Sequence, residues 1–134
     1  MNPRSALRLE SVNPWLEEHG FHVADRGLLG AALERPWLTF EETDLYPGVW
    51  LKAAALMDSI ISTHPFVDGN KRSGVLLTVL LLRAYDVPVA HTSSDDWFEL
   101  AISVATAAPS VEEIAVRLQA VSYTHLTLPT IYSV

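Results

Sequence analysis

Apolar positions along this chain recur mostly at helical spacing. Ser5 to Glu18 reads as a helix that Pro14 should break or restart, because its ring removes an amide and crowds the preceding turn. Gly20 is a natural stop. Asp25 suits the N-cap of a helix running to about Arg35, with Leu28, Leu29, Ala32 and Leu33 as its apolar face and Pro36 ending it. From Trp37 to Pro47 the period shortens to two. Leu38 and Phe40 alternate with Thr39 and Glu41, which predicts a short hairpin or flap.

Helical spacing then returns. Val49 to Ser62 carries one stripe of Ala53, Leu56, Met57, Ile60 and Ile61. Pro65 cannot continue that helix, so His64-Pro65-Phe66 belongs to a turn. Asn70 to Tyr85 is apolar on nearly all sides, from Val75 through Leu82, which predicts a helix at the centre of a bundle. Ser94 should cap the next helix, with Asp95 and Asp96 favourable in its first turn and Trp97, Leu100, Ala101, Val104 and Ala105 facing inward. Ser110 with Glu113 forms a capping box ahead of Val111, Ile114, Ala115 and Leu118. The pattern is that of a single all-α domain, without internal repeats.

Composition narrows the class. The chain has 134 residues, 49% of them hydrophobic, enough for one modest core. Its net charge of -7 argues against nucleic acid as the main partner, with Lys71-Arg72 as the one candidate basic spot. Without Cys there is no disulfide and no thiolate metal site. The longest nearly apolar run, Gly74 to Leu82, is too short to span a membrane, and a soluble, cytoplasmic protein is expected. Trp15, Trp37, Trp50 and Trp97 read as core residues. His19, His22 and His91 lack metal-ligand spacing and read as solvated.

The densest chemistry lies in His64-Pro65-Phe66-Val67-Asp68-Gly69-Asn70-Lys71-Arg72. A helix starting near Asn70 points free N–H groups back at this loop and favours an anion there. Gly69 removes the side chain where a phosphate would approach the backbone. Lys71 and Arg72 sit in the first helical turn, where cations are unfavourable for the helix. A bound polyphosphate or a surface ion pair with a nearby carboxylate would explain them. Asp68 can hold Mg²⁺ beside substrate phosphates, or cap the helix, or both. Asn70 can donate to a phosphate oxygen or support the turn. His64 is a candidate general base or a solvated loop residue. Phe66 should anchor the loop in the core, and Pro65 stiffen it.

This loop closely resembles the Fic/Doc motif, His-Pro-Phe-x-Asp/Glu-Gly-Asn-Gly-Arg-x-x-Arg. Lys71 replaces its second Gly and Val75 its final Arg, as in the Doc branch. The resemblance extends to Asp25-Arg26-Gly27-Leu28-Leu29, Ala32-Leu33, Arg35-Pro36, Asp44-Leu45-Tyr46-Pro47 and Lys52-Ala53-Ala54, and covers about residues 20 to 120. It implies a bundle of about six helices with a hairpin flap over the motif. It implies His64 as the base, Asp68 as the Mg²⁺ ligand, and Gly69, Asn70, Lys71 and Arg72 as the phosphate-binding group for ATP.

Lys71 adds bulk and charge where AMP-transferring relatives keep a small anion hole, and Val75 lacks a cation for the outer phosphates. For the Doc branch the resemblance implies transfer of the γ-phosphate to a threonine of elongation factor Tu, halting translation. AMP transfer is the in-class alternative, a non-catalytic co-repressor the next, and a His-Asn nuclease a distant one. No Ser/Thr-x-x-x-Glu-Gly/Asn inhibitory motif occurs, so a separate Phd-like antitoxin is the implied partner, with nucleic acid reached only through it. The flap, about Trp37 to Tyr46, is expected to receive the target segment as an added strand.

The end of the chain departs from this pattern. From Val121 no helical stripe is visible and β-branched residues accumulate. Back-translated, Val121 to Thr130 matches one frame of a common transposase-based sequencing adapter; a variable index, GTG and a stop would then account for Ile131 to Val134. The expectation is a Fic/Doc domain over 1–120 and a non-native tail over 121–134, without function. Resequencing the source gene should show the native frame diverging near Ala120; a genomic frame continuing through the same codons would overturn this.

Overall fold

The computed structural model describes residues 2–89 and 95–132. Among these are seven α-helices, a 3₁₀ turn and one small hairpin, so the chain is an all-α bundle with a flap. Among the described residues no helix is long and apolar enough to cross a membrane.

The amino-terminal expectation needs correction. The break falls at Leu7-Arg8, between α1 (Pro3–Ala6) and α2 (Leu9–Glu18), and Pro14 lies inside α2. Leu7, Val12 and Leu16 are all buried, and this burial outweighs the one helical hydrogen bond that Pro14 cannot make. Gly20 does end α2. It takes a φ of 86°, while the amide of Phe21 donates to the Leu16 carbonyl at 2.9 Å and that of Gly20 to Glu17 at 3.1 Å. This six-to-one closure turns the chain back and buries Phe21.

In α3 (Arg26–Glu34) the Asp25 carboxylate accepts from the Leu28 amide at 3.0 Å, as its N-cap position requires. Leu29, Ala32 and Leu33 are buried, whereas Leu28 is exposed and drops out of the expected stripe. A 3₁₀ turn (Arg35–Trp37) leads into β1 (Thr39–Phe40) and β2 (Thr43–Asp44), paired Thr39 with Asp44 and Phe40 with Thr43. The connecting residues Glu41 and Glu42 have φ of 50° and 67°. Both central residues at positive φ is the turn whose twist matches a two-residue hairpin, adopted here without Gly.

Helices α4 (Val49–Thr63) and α5 (Asn70–Ala84) form the centre. The sequence pattern puts α5 there. In the structure α4 is the more widely packed of the two, touching α3, the 3₁₀ turn, α5, α6 and α7. Its expected stripe is wholly buried. Gly74 lets α5 approach α4 closely: a Cβ there would lie 3.1 Å from Ile61 Cγ1 and 3.5 Å from Ile60 Cγ2.

Helix α6 (Asp95–Ala107) buries Trp97, Leu100, Ala101 and Val104, while Ala105 faces solvent; Ser94, its expected cap, and His91 lie outside the described residues. The capping box of α7 (Val111–Tyr132) is made in full. Ser110 N–H donates to Glu113 Oε1 and Glu113 N–H to Ser110 Oγ, each at 3.1 Å, which holds the Glu113 carboxyl below its usual range. The helical pattern of the sequence ends near Ala120, yet the backbone stays helical to Tyr132. A nucleated helix adds one bond per residue fixed, so a weakly patterned extension needs no new nucleus.

The close approach at Gly74 gives a direct check. Gly74→Val should lose about 1–3 kcal/mol of stability in urea unfolding through overpacking against Ile60 and Ile61. An unchanged midpoint would mean that the two helices are not held this closely.

Candidate active site

Between α4 and α5 the chain makes a loop held from two sides. The Pro65 carbonyl accepts from the amides of Ala24 at 2.8 Å and Asp25 at 3.0 Å, and the Val67 amide donates to the His22 carbonyl at 2.9 Å. Val23 and Phe66 thus face each other as an isolated antiparallel bridge. The Phe66 ring is buried and meets Phe21 edge-on at 6.0 Å between centroids, so the expected anchor is observed.

The second restraint is Asn70. Its Oδ1 accepts from the Phe66 amide at 3.0 Å, and its Nδ2 donates to the Phe66 carbonyl at 3.2 Å. The amide group therefore closes the loop onto itself. Of the two roles open to Asn70, support of the turn is the one this geometry displays, with one Nδ2 hydrogen still available.

Gly69 stands before α5 with φ of 71°, and a Cβ there would sit 3.1 Å from Phe21 Cε1. Both the backbone conformation and the aromatic wall require glycine. The Ser73 amide donates to the Gly69 carbonyl at 2.8 Å, which starts the helix, and no side chain caps it. The amides of Asn70, Lys71 and Arg72 accordingly have no acceptor within the helix.

His64 is the C-cap of α4, in the left-handed conformation at φ 56° and ψ 58°, and its side chain is exposed. Asp68, Lys71 and Arg72 are exposed as well. Among the described residues the ion pairs join Arg4 to Glu34, Arg35 to Asp58 and Lys52 to Asp44, and none involves Lys71 or Arg72. The surface ion pair that would have explained these two cations is thus not formed.

Asp68, Gly69 and Arg72 border a cleft of about 470 Å³, walled by Phe21, Val75, Leu76 and Phe98 with His19 at its rim. His64 and Lys71 do not line it. The loop collects all the motif residues, but the cleft takes only part of them. Val75 is buried in its wall, so the position of the motif's final Arg is apolar here. His19 is tied to its own helix, with a ring nitrogen 2.7 Å from the Trp15 carbonyl. Of the four tryptophans, Trp97 is fully buried, and Trp15, Trp37 and Trp50 pack partly buried against the core.

Among the described residues no three His, Asp or Glu side chains group as a metal site. Asp68 is one exposed carboxylate next to a free helix start. This suits a cation such as Mg²⁺ that completes its shell with water and substrate phosphate oxygens.

A set of polar residues not assigned from the sequence lies under the flap. Arg35 Nη1 donates to Asp58 Oδ2 at 2.8 Å, Ser59 Oγ at 2.9 Å and the Ala55 carbonyl at 3.3 Å, and Arg35 Nε to the Tyr46 hydroxyl at 3.0 Å. Burial alone would lower the Arg35 pKa, but the hydrogen bonds to Asp58 and Tyr46 outweigh it and hold it above its ordinary value. Lys52 Nζ, almost fully buried, donates to the Tyr46 carbonyl at 2.7 Å and Asp44 Oδ2 at 3.3 Å. The signal for this set was Lys52 and Asp58 interrupting an otherwise apolar helix.

Since Asp44 reaches toward α4, strand alternation puts Phe40 and Thr43 on the opposite, outward face. Leu38 and Leu45, joined at 3.0 Å from the Leu45 amide to the Leu38 carbonyl, share that face, and Leu38, Phe40 and Leu45 are exposed.

Comparison with known proteins agrees with this architecture. A family model described as Fic/DOC family matches residues 8–82. A protein named Toxin Doc, from Mycolicibacterium smegmatis, is 40% identical over 97 residues, which span 72% of this chain and 75% of that protein. No solved structure gives a significant match. With the motif loop, the central helix pair and the flap in place, the chain belongs to the Fic/Doc family and is a Doc-type member of it.

Proposed function

We propose that the protein is a Doc-type toxin that transfers the γ-phosphate of ATP to a Ser or Thr hydroxyl of a translation factor, elongation factor Tu by resemblance. The observation that carries this reading is the pair of first-turn cations, Lys71 and Arg72, without a carboxylate partner among the described residues, at a helix start with no side-chain cap. Such a site is short of negative charge, and a polyphosphate supplies it.

Each residue then has a task. The flap presents the target segment as an added strand, and its outward face of Leu38, Phe40 and Leu45 gives that segment an apolar surface. His64 removes the proton as the hydroxyl oxygen forms its bond to the γ-phosphorus. The bond from that phosphorus to the β,γ-bridging oxygen breaks, and ADP leaves with the electron pair. The amides at the start of α5, with Lys71 and Arg72, hold phosphate oxygens throughout. Asp68 is the residue that would hold Mg²⁺, which when bound offsets the negative charge of the phosphates. Gly69 lets the chain turn into α5 tight against Phe21.

Lys71 and Val75 favour phosphate over AMP transfer, since one adds bulk and charge at the helix start where AMP-transferring relatives keep a glycine, and the other leaves the apolar wall of the cleft without a cation. The partner is a Phd-like antitoxin whose segment folds as a helix on the toxin. A mainly apolar groove of about 300 Å³ lined by Ala6, Ser11, Val12, Trp15 and Leu80 is the candidate seat. The protein acts in the cytoplasm, where ATP and the translation factor are.

ATP labelled at the α or γ position, with elongation factor Tu as acceptor, tests the reaction. The γ label should move to the acceptor, and His64→Ala should lower transfer by about 100-fold or more, the usual worth of a positioned base. Lys71→Gly combined with Val75→Arg should raise α-label transfer relative to γ. Transfer of the α label by the unaltered protein would replace this reading with AMP transfer, and undiminished toxicity of His64→Ala in cells would remove catalysis from the function.

A further inference from the structure

We propose that Arg35, Tyr46 and Lys52 are positioning residues that register the flap to His64 through α4, and so set how well a protein target is held. The inference rests on the proposed function for what the flap presents, and on hydrogen bonds for the rest.

Both ends of the flap are tied to one helix. On its entry side Arg35 reaches three groups of α4: Ala55 O, Asp58 Oδ2 and Ser59 Oγ. On its exit side Asp44 and the Tyr46 carbonyl both accept from Lys52, also on α4. Tyr46 joins the two sides, since its hydroxyl accepts from Arg35 Nε and its ring lies 5.2 Å below the guanidinium. Trp37 Nε1 adds a tie to the Tyr85 hydroxyl at 3.1 Å, at the end of α5.

The anchors at 52, 55, 58 and 59 recur at three- and four-residue spacing, along one face of the helix. That same helix ends at His64. From Ser59 to His64 is about 7.5 Å of axial rise. The Thr63 hydroxyl donates to the Ser59 carbonyl at 2.6 Å, so its own polar group is met within the last turn. One rigid element therefore carries the imidazole at its end and the seat of the hairpin along its side. A planar guanidinium with five donors makes the entry tie to several acceptors at once, which a lysine ammonium on a different stem cannot reproduce. None of these groups reaches the motif loop by a hydrogen bond in the described residues, so they act on the reaction by placing the flap.

The test uses Tyr46→Phe, which deletes the acceptor for Arg35 Nε while leaving the ring and the carbonyl that Lys52 binds. Arg35→Lys is the companion variant, and Arg4→Ala, which breaks the exposed pair with Glu34, is the control. Two readouts are independent. Hydrogen exchange at the Leu45 amide, bonded within the flap, should quicken by about 3–10-fold in Tyr46→Phe, the worth of one hydrogen bond. In γ-label transfer the KM for the protein acceptor should rise by a similar factor, with kcat and the KM for ATP within about twofold.

An unchanged Leu45 exchange rate would overturn the proposal, as would equal losses in kcat and both KM values together with a lowered melting temperature. If Arg35→Lys fails to fold, Tyr46→Phe alone decides. If the unaltered protein transfers no label at all, the proposed function falls, and the exchange measurement still judges the flap anchorage.

Discussion

The loop between α4 and α5 depends on a single closure, the Asn70 side chain gripping both backbone groups of Phe66. A chain that leaves one helix and enters another within seven residues exposes several amides and carbonyls. Here those of Phe66 are met by Asn70, and the Pro65 carbonyl and Val67 amide by residues 22–25. With the loop's own polar groups spent on itself and on its neighbour, the helix start of α5 is left open. The exposed carboxylate of Asp68 and the two cations, which form no ion pair among the described residues, stand beside that open start.

The second constraint is mechanical. α4 is packed on most of the other elements, and it links the flap to His64. Gly74 then sets α5 against the end of α4 at close range, fixing the start of α5 relative to the imidazole. The proposed base, the proposed phosphate site and the flap are thereby carried on two helices that touch.

Much of this was legible in residues. The Ser110–Glu113 box, the Asp25 cap and the Gly20 stop were each readable because their chemistry is local, and each is made as expected. The flap was readable from its two-residue period. Pro14 misled because a local rule about proline competes with burial of Leu7, Val12 and Leu16, which is decided by distant partners. The role of Asn70 stayed open since an amide in a loop can face ligand or backbone, and spacing cannot choose between them. The links that join Arg35 to Tyr46, Asp58 and Ser59 were not legible in the sequence, because they span 11 to 24 positions.

Amide exchange at Phe66, compared between the unaltered protein, Asn70→Ala and Asn70→Asp, tests the closure most directly. Asn70→Ala leaves the Phe66 amide without its acceptor, and exchange there should quicken by about tenfold or more, the equivalent of roughly 1.4 kcal/mol. Asn70→Asp retains an acceptor for the amide but sets a carboxylate oxygen against the Phe66 carbonyl, so its rate should fall between the other two. If all three proteins exchange Phe66 alike while phosphate binding drops in both variants, Asn70 is a ligand and not the closure of the loop, and this account is contradicted.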